Sequence, residues 1–322
     1  MNKFGAIAAI AAMVWAGMGG DARAQQSIAT GTPTAEQAAR CAAIENEQGR
    51  KGCTVVFSVP GLKFPDRAET ATAAELRMAI FRPAGSGPFP AVVLLHSCAG
   101  FSRFENIAHW GTALLEAGYA VFIVDSWGQR GLSDGVCNPG PVLPINAALL
   151  RIRDAYEALD HIARFDFVDR ARVAALGTSQ GARAVYLLSS AVVARVYAPS
   201  GLRFAALAAL YGECFNRKTG FEFVPKDANR PLLALLGGKD EDGDPAECLP
   251  RFESRKTAGA PIRWHVFPEA GHSWDDPNFR RQRYIPYFAA PSGQVFMAYD
   301  SDVTAESRRR VLAFLAETMP KC

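Results

Sequence analysis

The chain has 322 residues, 49% of them hydrophobic and 21% charged, with a net charge of +3. That is an ordinary globular balance, with apolar mass enough for one large α/β domain or two small ones. The small charge, with no basic block, argues against a nucleic-acid partner.

The first 24 residues read as a targeting segment. Lys3 supplies a short positive region, and 4–18 is an apolar, small-residue run too short for a comfortable membrane span. Ala22-Arg23-Ala24 is an A-x-A cleavage site that makes Gln25 the mature start. Bacterial-type export to the periplasm or beyond is the expectation, with no membrane association after cleavage; an uncleaved anchor is the alternative. In an oxidising compartment the seven cysteines are expected to pair as Cys41–Cys53, Cys98–Cys137 and Cys214–Cys248, leaving Cys322 free. None shows C-x-x-C spacing, so neither a zinc site nor disulfide exchange is expected.

Residues 25–53 form a polar, Ala-rich extension with a helix expected over 35–46, and 54–322 is expected to be one domain. Strand patterns occupy 54–59 and 74–82, and the turn-rich PAGSGPFP leads into AVVLL at 91–95. A continuous apolar run of that kind suits a strand buried on both faces of a parallel sheet. A helix over 104–117, a strand at 119–124 and a strong helix over 147–163 follow. Further strands are expected at 204–211, 231–236 and 262–267, and helices over 182–191, 246–258 and 304–319. The segments 212–230 and 275–299 read as irregular. Strands alternating with helices argue a mostly parallel sheet with helices on both faces, an α/β fold.

The chemistry centres on 172–183, RVAALGTSQGAR. An apolar run ends in Gly177-Thr178-Ser179-Gln180-Gly181 and a helix-capable segment follows at once. This is G-x-S-x-G between strand and helix, where a sharp turn holds a nucleophile in strained backbone and small residues on either side let other backbone pass. Ser179 would stand above the sheet, with the Gln180 N–H aimed at a developing oxyanion. The bland alternative is a serine that only caps a helix.

Acyl transfer needs a base for Ser179 and an acid to orient that base. Asp240 and His272 each follow a predicted strand, and the order Ser, Asp, His is that of the α/β-hydrolase fold. Asp240 leads an acidic loop with Glu241, Asp242 and Asp244, so Asp242 is the second choice for the acid. His265 alternates within a strand, His109 and His161 lie in helices, and His96 is expected to make a structural hydrogen bond below the 96–100 loop. The second oxyanion donor should come from that loop, with the Cys98 N–H best placed. Arg130 lies at the same sheet edge, where it could hold a substrate carboxylate or equally a salt bridge fixing its loop. Trp127, Trp274, Tyr284, Tyr287 and Phe288 read either as an acyl pocket or as packing.

With these residues in view, the chain resembles the dienelactone hydrolase family over about 74–319. The carrying segments are VVLLHSCAGF, GYAVFIVDSWGQRG, the GTSQG elbow, LLGGKDEDGDPAEC and WHVFPEAGHSWD. The resemblance implies an eight-stranded, mostly parallel sheet, no cofactor, and hydrolysis of small-molecule esters or lactones. It puts the family nucleophile on Ser179, its acid on Asp240, its histidine on His272 and, loosely, its substrate-carboxylate arginine on Arg130. The founding enzymes of the family are cytoplasmic and carry cysteine as nucleophile; here a serine and an export segment stand instead. The same scaffold would also serve a peptidase or amidase, or a binding protein that kept the fold without catalysis.

Overall fold

The computed structural model describes residues 76–100, 106–127, 144–198, 200–287 and 290–320, the strands Ser27–Ile28 and Cys53–Val59, and the single positions Arg130, Leu132, Val136 and Cys137. The targeting segment, the 35–46 helix, the Cys41–Cys53 pair, Cys322 and Phe288 lie outside the described residues.

Nine strands form the main sheet: β1 (Ser27–Ile28), β2 (Cys53–Val59), β3 (Leu76–Arg82), β4 (Phe89–Leu95), β5 (Ala120–Asp125), β6 (Val168–Thr178), β7 (Ala206–Leu210), β10 (Leu232–Gly237) and β11 (Ile262–Phe267), in the order β1-β2-β3-β5-β4-β6-β7-β10-β11. Within this sheet, among the described residues, only the β2–β3 and β3–β5 pairings are antiparallel. The sheet is therefore mostly parallel, one strand larger than the family resemblance implies, the extra pairing being that of the two-residue β1.

The AVVLL run is the centre of this sheet. β4 is hydrogen-bonded to β5 on one side and β6 on the other. Its side chains alternate: Ala91, Val93 and Leu95 face one core, Val92 and Leu94 the other. With both faces covered, no polar residue has a place there, which is why the run is unbroken. Helices α2 (Pro144–Ile162), α3 (Gln180–Leu188) and α5 (Pro245–Thr257) pack on the first face; α1 (Asn106–Glu116) and α6 (Ser301–Thr318) pack on the second. Along α2, Ile152, Ala155, Tyr156, Leu159 and Ile162 form the buried stripe at helical spacing.

Several departures from the expectation have a local reason. The 182–191 helix ends early, and a second short helix, α4 (Ala191–Tyr197), starts where the Ser190 hydroxyl accepts from the Val193 N–H. α6 begins at Ser301 because Asp300 caps it, accepting from the N–H groups of Asp302 and Val303. The 212–230 segment carries a hairpin of two-residue strands, β8 (Phe215–Asn216) and β9 (Phe221–Glu222), beside the Cys214–Cys248 disulfide. The 275–299 segment holds a 3-10 turn, Pro277–Phe279, and an antiparallel pair, β12 (Arg283–Pro286) with β13 (Gln294–Met297).

Candidate active site

The elbow follows from sterics. Ser179 sits between β6 and α3 at φ 52° and ψ −117°, and its N–H donates to Leu210 O at 2.9 Å. A Cβ on Gly177 would lie 2.3 Å from Gly181 O, and one on Gly181 would lie 2.0 Å from Leu95 O. Both contacts are backbone, with nothing able to swing away, so this turn admits only glycine at 177 and 181.

Two further loops meet the elbow at the carboxyl ends of β10 and β11. Gly238 lets the first press on the second, since a Cβ there would fall 2.2 Å from Pro268 O. Gly271 does the same against β13: its Cβ would fall 2.4 Å from Phe296 O, and the neighbouring His272 N–H donates to that oxygen at 2.7 Å. His272 Nδ1 lies 2.8 Å from Asp240 Oδ2, and Nε2 lies 2.9 Å from Ser179 Oγ. A carboxylate only accepts, so Nδ1 carries the ring proton, and the Ser179 hydroxyl donates to Nε2. All three side chains are buried, none more than 5% exposed. Burial acts to lower the His272 pKa, but the Asp240 carboxylate, through charge and hydrogen bond, and the Asp242 charge outweigh it and leave the pKa above the usual 6.5.

Asp242, the other candidate acid, is committed elsewhere. Both of its oxygens accept from Arg183 Nη2, at 2.9 and 3.1 Å, and the same nitrogen donates to the Tyr287 hydroxyl at 2.8 Å. Arg183 Nε also faces the buried Glu213 at 3.1 Å. Burial pushes Glu213 up to about 7 against the pull of Arg183. The remaining loop acids have local duties: Asp244 caps α5, and Glu241 accepts from the Ser292 N–H.

Gln180, expected as an oxyanion donor, opens α3, so its N–H has no acceptor one turn earlier in the helix. The backbone of Leu95 and His96 passes over Gly181, and the 97–100 turn that follows is braced by the Ala99 N–H donating to Ser97 Oγ at 3.3 Å. Cys98 in that turn is bonded to Cys137, and Cys98 O accepts from the Val136 N–H at 2.7 Å. His96 is held neutral by burial and the nearby Arg151 charge; its Nδ1 contacts Ser97 O at 2.6 Å and its Nε2 accepts from the Ser126 N–H at 3.3 Å. That is the structural role expected of it.

Three sequence-derived binding residues need revision. Of the two readings of Arg130, the structure holds the salt bridge: its Nη1 and Nη2 donate to the two oxygens of buried Asp154 at 2.9 and 2.7 Å, and Nη1 also donates to Ser126 O. A guanidinium edge engaged in this way does not face a substrate. Trp274 is fully buried against Tyr211 and Phe267, and its indole N–H donates to Ser307 Oγ on α6. It is core on the α1/α6 side of the sheet, because the turn after His272 reverses its direction. Trp127 packs with Val136, Ala147 and Leu150 against Cys98, so it is a wall beside the 97–100 turn and is itself buried.

Arg151 was missed. It lies inside α2, fully buried, with Nη1 donating to Gln180 Oε1 at 3.3 Å and its guanidinium 5.6 Å from the Trp127 ring centre. Its Nε and Nη2 meet no hydrogen-bond acceptor among the described residues. Burial lowers its pKa to about 9, opposed by the Asp154 charge and reinforced by Arg130. The signal was present: an arginine between Leu150 and Ile152, three residues after Ala148 and four before Ala155, sits on the apolar face of its helix.

The model of the dienelactone hydrolase family matches residues 76–319. The chain belongs to the dienelactone hydrolase family. As a member it is a hydrolase of ester bonds. A Yersinia pestis protein named "Putative carboxymethylenebutenolidase" is 26% identical over 220 residues, 65% of this chain and 75% of that protein. Among solved structures, a dienelactone hydrolase-like promiscuous phosphotriesterase from metagenomic libraries superposes with a TM-score of 0.56 at 17% identity, over 82% of this chain and 98% of that one. Thermogutta terrifontis esterase 2 gives 0.57 at 13% identity, over 85% and 98%. These two share the fold of this member of the dienelactone hydrolase family.

Proposed function

We propose that this chain is an exported serine hydrolase that cleaves small carboxylic esters or lactones through Ser179, His272 and Asp240. The observation that carries the reading is the unbroken relay from Ser179 Oγ to His272 Nε2 at 2.9 Å and from Nδ1 to Asp240 at 2.8 Å, set on a strained elbow. His272 takes the Ser179 proton as Oγ attacks the carbonyl carbon. The N–H groups of Gln180 and Cys98 hold the tetrahedral oxyanion. His272 then gives its proton to the departing alkoxide, leaving an acyl-serine. Water, activated by the same imidazole, releases the acid and restores Ser179. Asp240 keeps the proton on Nδ1 and favours the imidazolium formed at each step. Export is supported by the A-x-A segment and by the Cys98–Cys137 and Cys214–Cys248 disulfides, which persist in oxidising compartments.

The test is covalent. Purified protein treated with a fluorophosphonate should carry one adduct, mapped to Ser179 by peptide mass spectrometry. Labelling should vanish in His272→Ala. A folded sample that takes no adduct would favour a binding protein built on the same scaffold. Matched ester and amide substrates separate esterase from amidase.

With Arg130 engaged by Asp154, Arg151 would recognise a negative group on the substrate beside Gln180, through Nε and Nη2, which meet no acceptor among the described residues. Arg151→Met should therefore raise KM about tenfold for a carboxylate-bearing ester and leave KM for its neutral methyl counterpart within twofold. Equal changes for both substrates would count against this role.

A further inference from the structure

Behind His272 lies a buried polar cluster that the acyl-transfer steps do not use. Tyr211, at the end of β7, is fully buried, and its ring meets the His272 imidazole nearly edge to face, centres 4.9 Å apart at 66°. The Tyr211 hydroxyl donates to Asp275 Oδ1 at 2.8 Å and accepts from Asn106 Nδ2 at 2.7 Å. Asp275 is 1% exposed, and its second oxygen accepts from the Trp110 indole N–H at 2.7 Å. Asn106 Nδ2 also reaches Asp275 Oδ1, at 3.2 Å.

Two features set this cluster apart from ordinary packing. Three neutral side chains donate to Asp275 alongside its own backbone N–H, so among the described residues a buried carboxyl is kept in the core by neutral donors, an expensive arrangement that a shape-matched apolar side chain would avoid. The donors also come from separate elements: Asn106 and Trp110 from α1, Tyr211 from the end of β7. They converge on the turn that carries His272. In that turn Ser273 is at φ 54°, and Tyr211 itself is at φ 42°, both in the left-handed region. Strain of this kind persists where surrounding contacts over-determine it.

We propose that Tyr211 is a positioning residue for His272: Asp275, with Asn106 and Trp110, locks the phenol so that its ring fixes the plane of the imidazole between Asp240 and Ser179. The inference rests on His272 serving as the base for Ser179. Asp240 restrains the ring only at Nδ1, and rotation about that contact would swing Nε2 away from Oγ. The Tyr211 ring, packed on its other side by Trp274 at 4.9 Å, blocks that rotation. The charged groups around the imidazole are Asp240, Asp242 and Arg183; around the cluster they are Asp275 and Asp276.

The experiment compares Tyr211→Phe and Asp275→Asn with wild type, measuring the rate of fluorophosphonate labelling of Ser179 and the pH dependence of kcat/KM for a neutral ester. Tyr211→Phe keeps the ring volume and removes only the lock. It should slow labelling about tenfold, as a misplaced reacting group does, with KM within twofold. The acid limb should move to lower pH, because a loosened His272 loses part of the Asp240 contact that raises its pKa. Asp275→Asn sets an amide N–H₂ against the Asn106 or Trp110 donors and should do the same more strongly. A cluster that merely stabilises the fold would lower Tm in both variants and leave the labelling rate and the acid limb where they are, and that result overturns the proposal. Should Asp275→Asn not fold, Tyr211→Phe decides alone. Wild-type protein that takes no adduct at Ser179 speaks against the triad itself; wild type that labels while Tyr211→Phe matches it speaks only against the positioning role.

Discussion

Ser179→Ala is expected to lower kcat for a small chromogenic ester by about 10⁴- to 10⁶-fold, with the protein still folded. The substitution removes the atom that forms the acyl bond and nothing else of consequence. Among the described residues the polar contact of the Ser179 side chain is to His272 Nε2, while the turn is held by its own backbone N–H bonded to Leu210 O and by the glycines at 177 and 181. Alanine keeps the Cβ, so the strain at φ 52° is unchanged and Tm should move little. His272→Ala should cost about as much as Ser179→Ala, and the double variant little more than either, because groups that act as one unit are not additive. What remains would come from binding and the Gln180 and Cys98 N–H groups. Turnover by Ser179→Ala within tenfold of wild type, with fluorophosphonate adducts found elsewhere, would refute the nucleophile assignment. Retained Tm is the control that separates lost chemistry from lost fold.

How far the site could be read in advance depends on how local its determinants are. Ser179 and Asp240 follow apolar runs that mark strands buried on two faces, His272 follows the half-buried edge strand β11, and each lies close to glycines that near-contact backbone demands. Those cues lie within a few residues, so the strand ends and the three loops could be found without coordinates. The Cys98–Cys137 and Cys214–Cys248 pairs were expected and occur, although spacing alone cannot choose among pairings. The misreadings are non-local. Arg130 finds its partner Asp154 on α2, a contact no motif signals. Trp274 is two residues beyond His272, yet past the positive φ of Ser273 it lies in the core on the α1/α6 face of the sheet. The Tyr211–Asp275–Asn106–Trp110 cluster joins residues more than sixty positions apart and has no sequence pattern at all. Two-residue strands such as β8 and β9 are too short for any periodicity to register.

Asp240→Asn is expected to reduce kcat about 10⁴-fold, the loss seen when a triad carboxylate becomes an amide that favours the wrong imidazole tautomer. The introduced amide could turn its N–H₂ toward Nδ1, which then accepts; the ring proton moves to Nε2, and Nε2 can no longer take the Ser179 proton. The pH profile carries the same information with a definite sign. Only neutral His272 acts as base, so activity rises with pH through the His272 pKa. In wild type that limb lies above 6.5, because Asp240 outweighs the lowering due to burial. With the carboxylate charge gone, burial dominates, and the residual activity should titrate at lower pH than in wild type. Asp242→Asn is the matched control. Its carboxylate faces Arg183, so its loss should cost about 2 kcal/mol of stability, move the acid limb slightly downward, and leave kcat within tenfold. If Asp242→Asn proved the more damaging to kcat at equal folded fraction, the acid of the relay would be Asp242, and the 2.8 Å contact between His272 and Asp240 would be structural only.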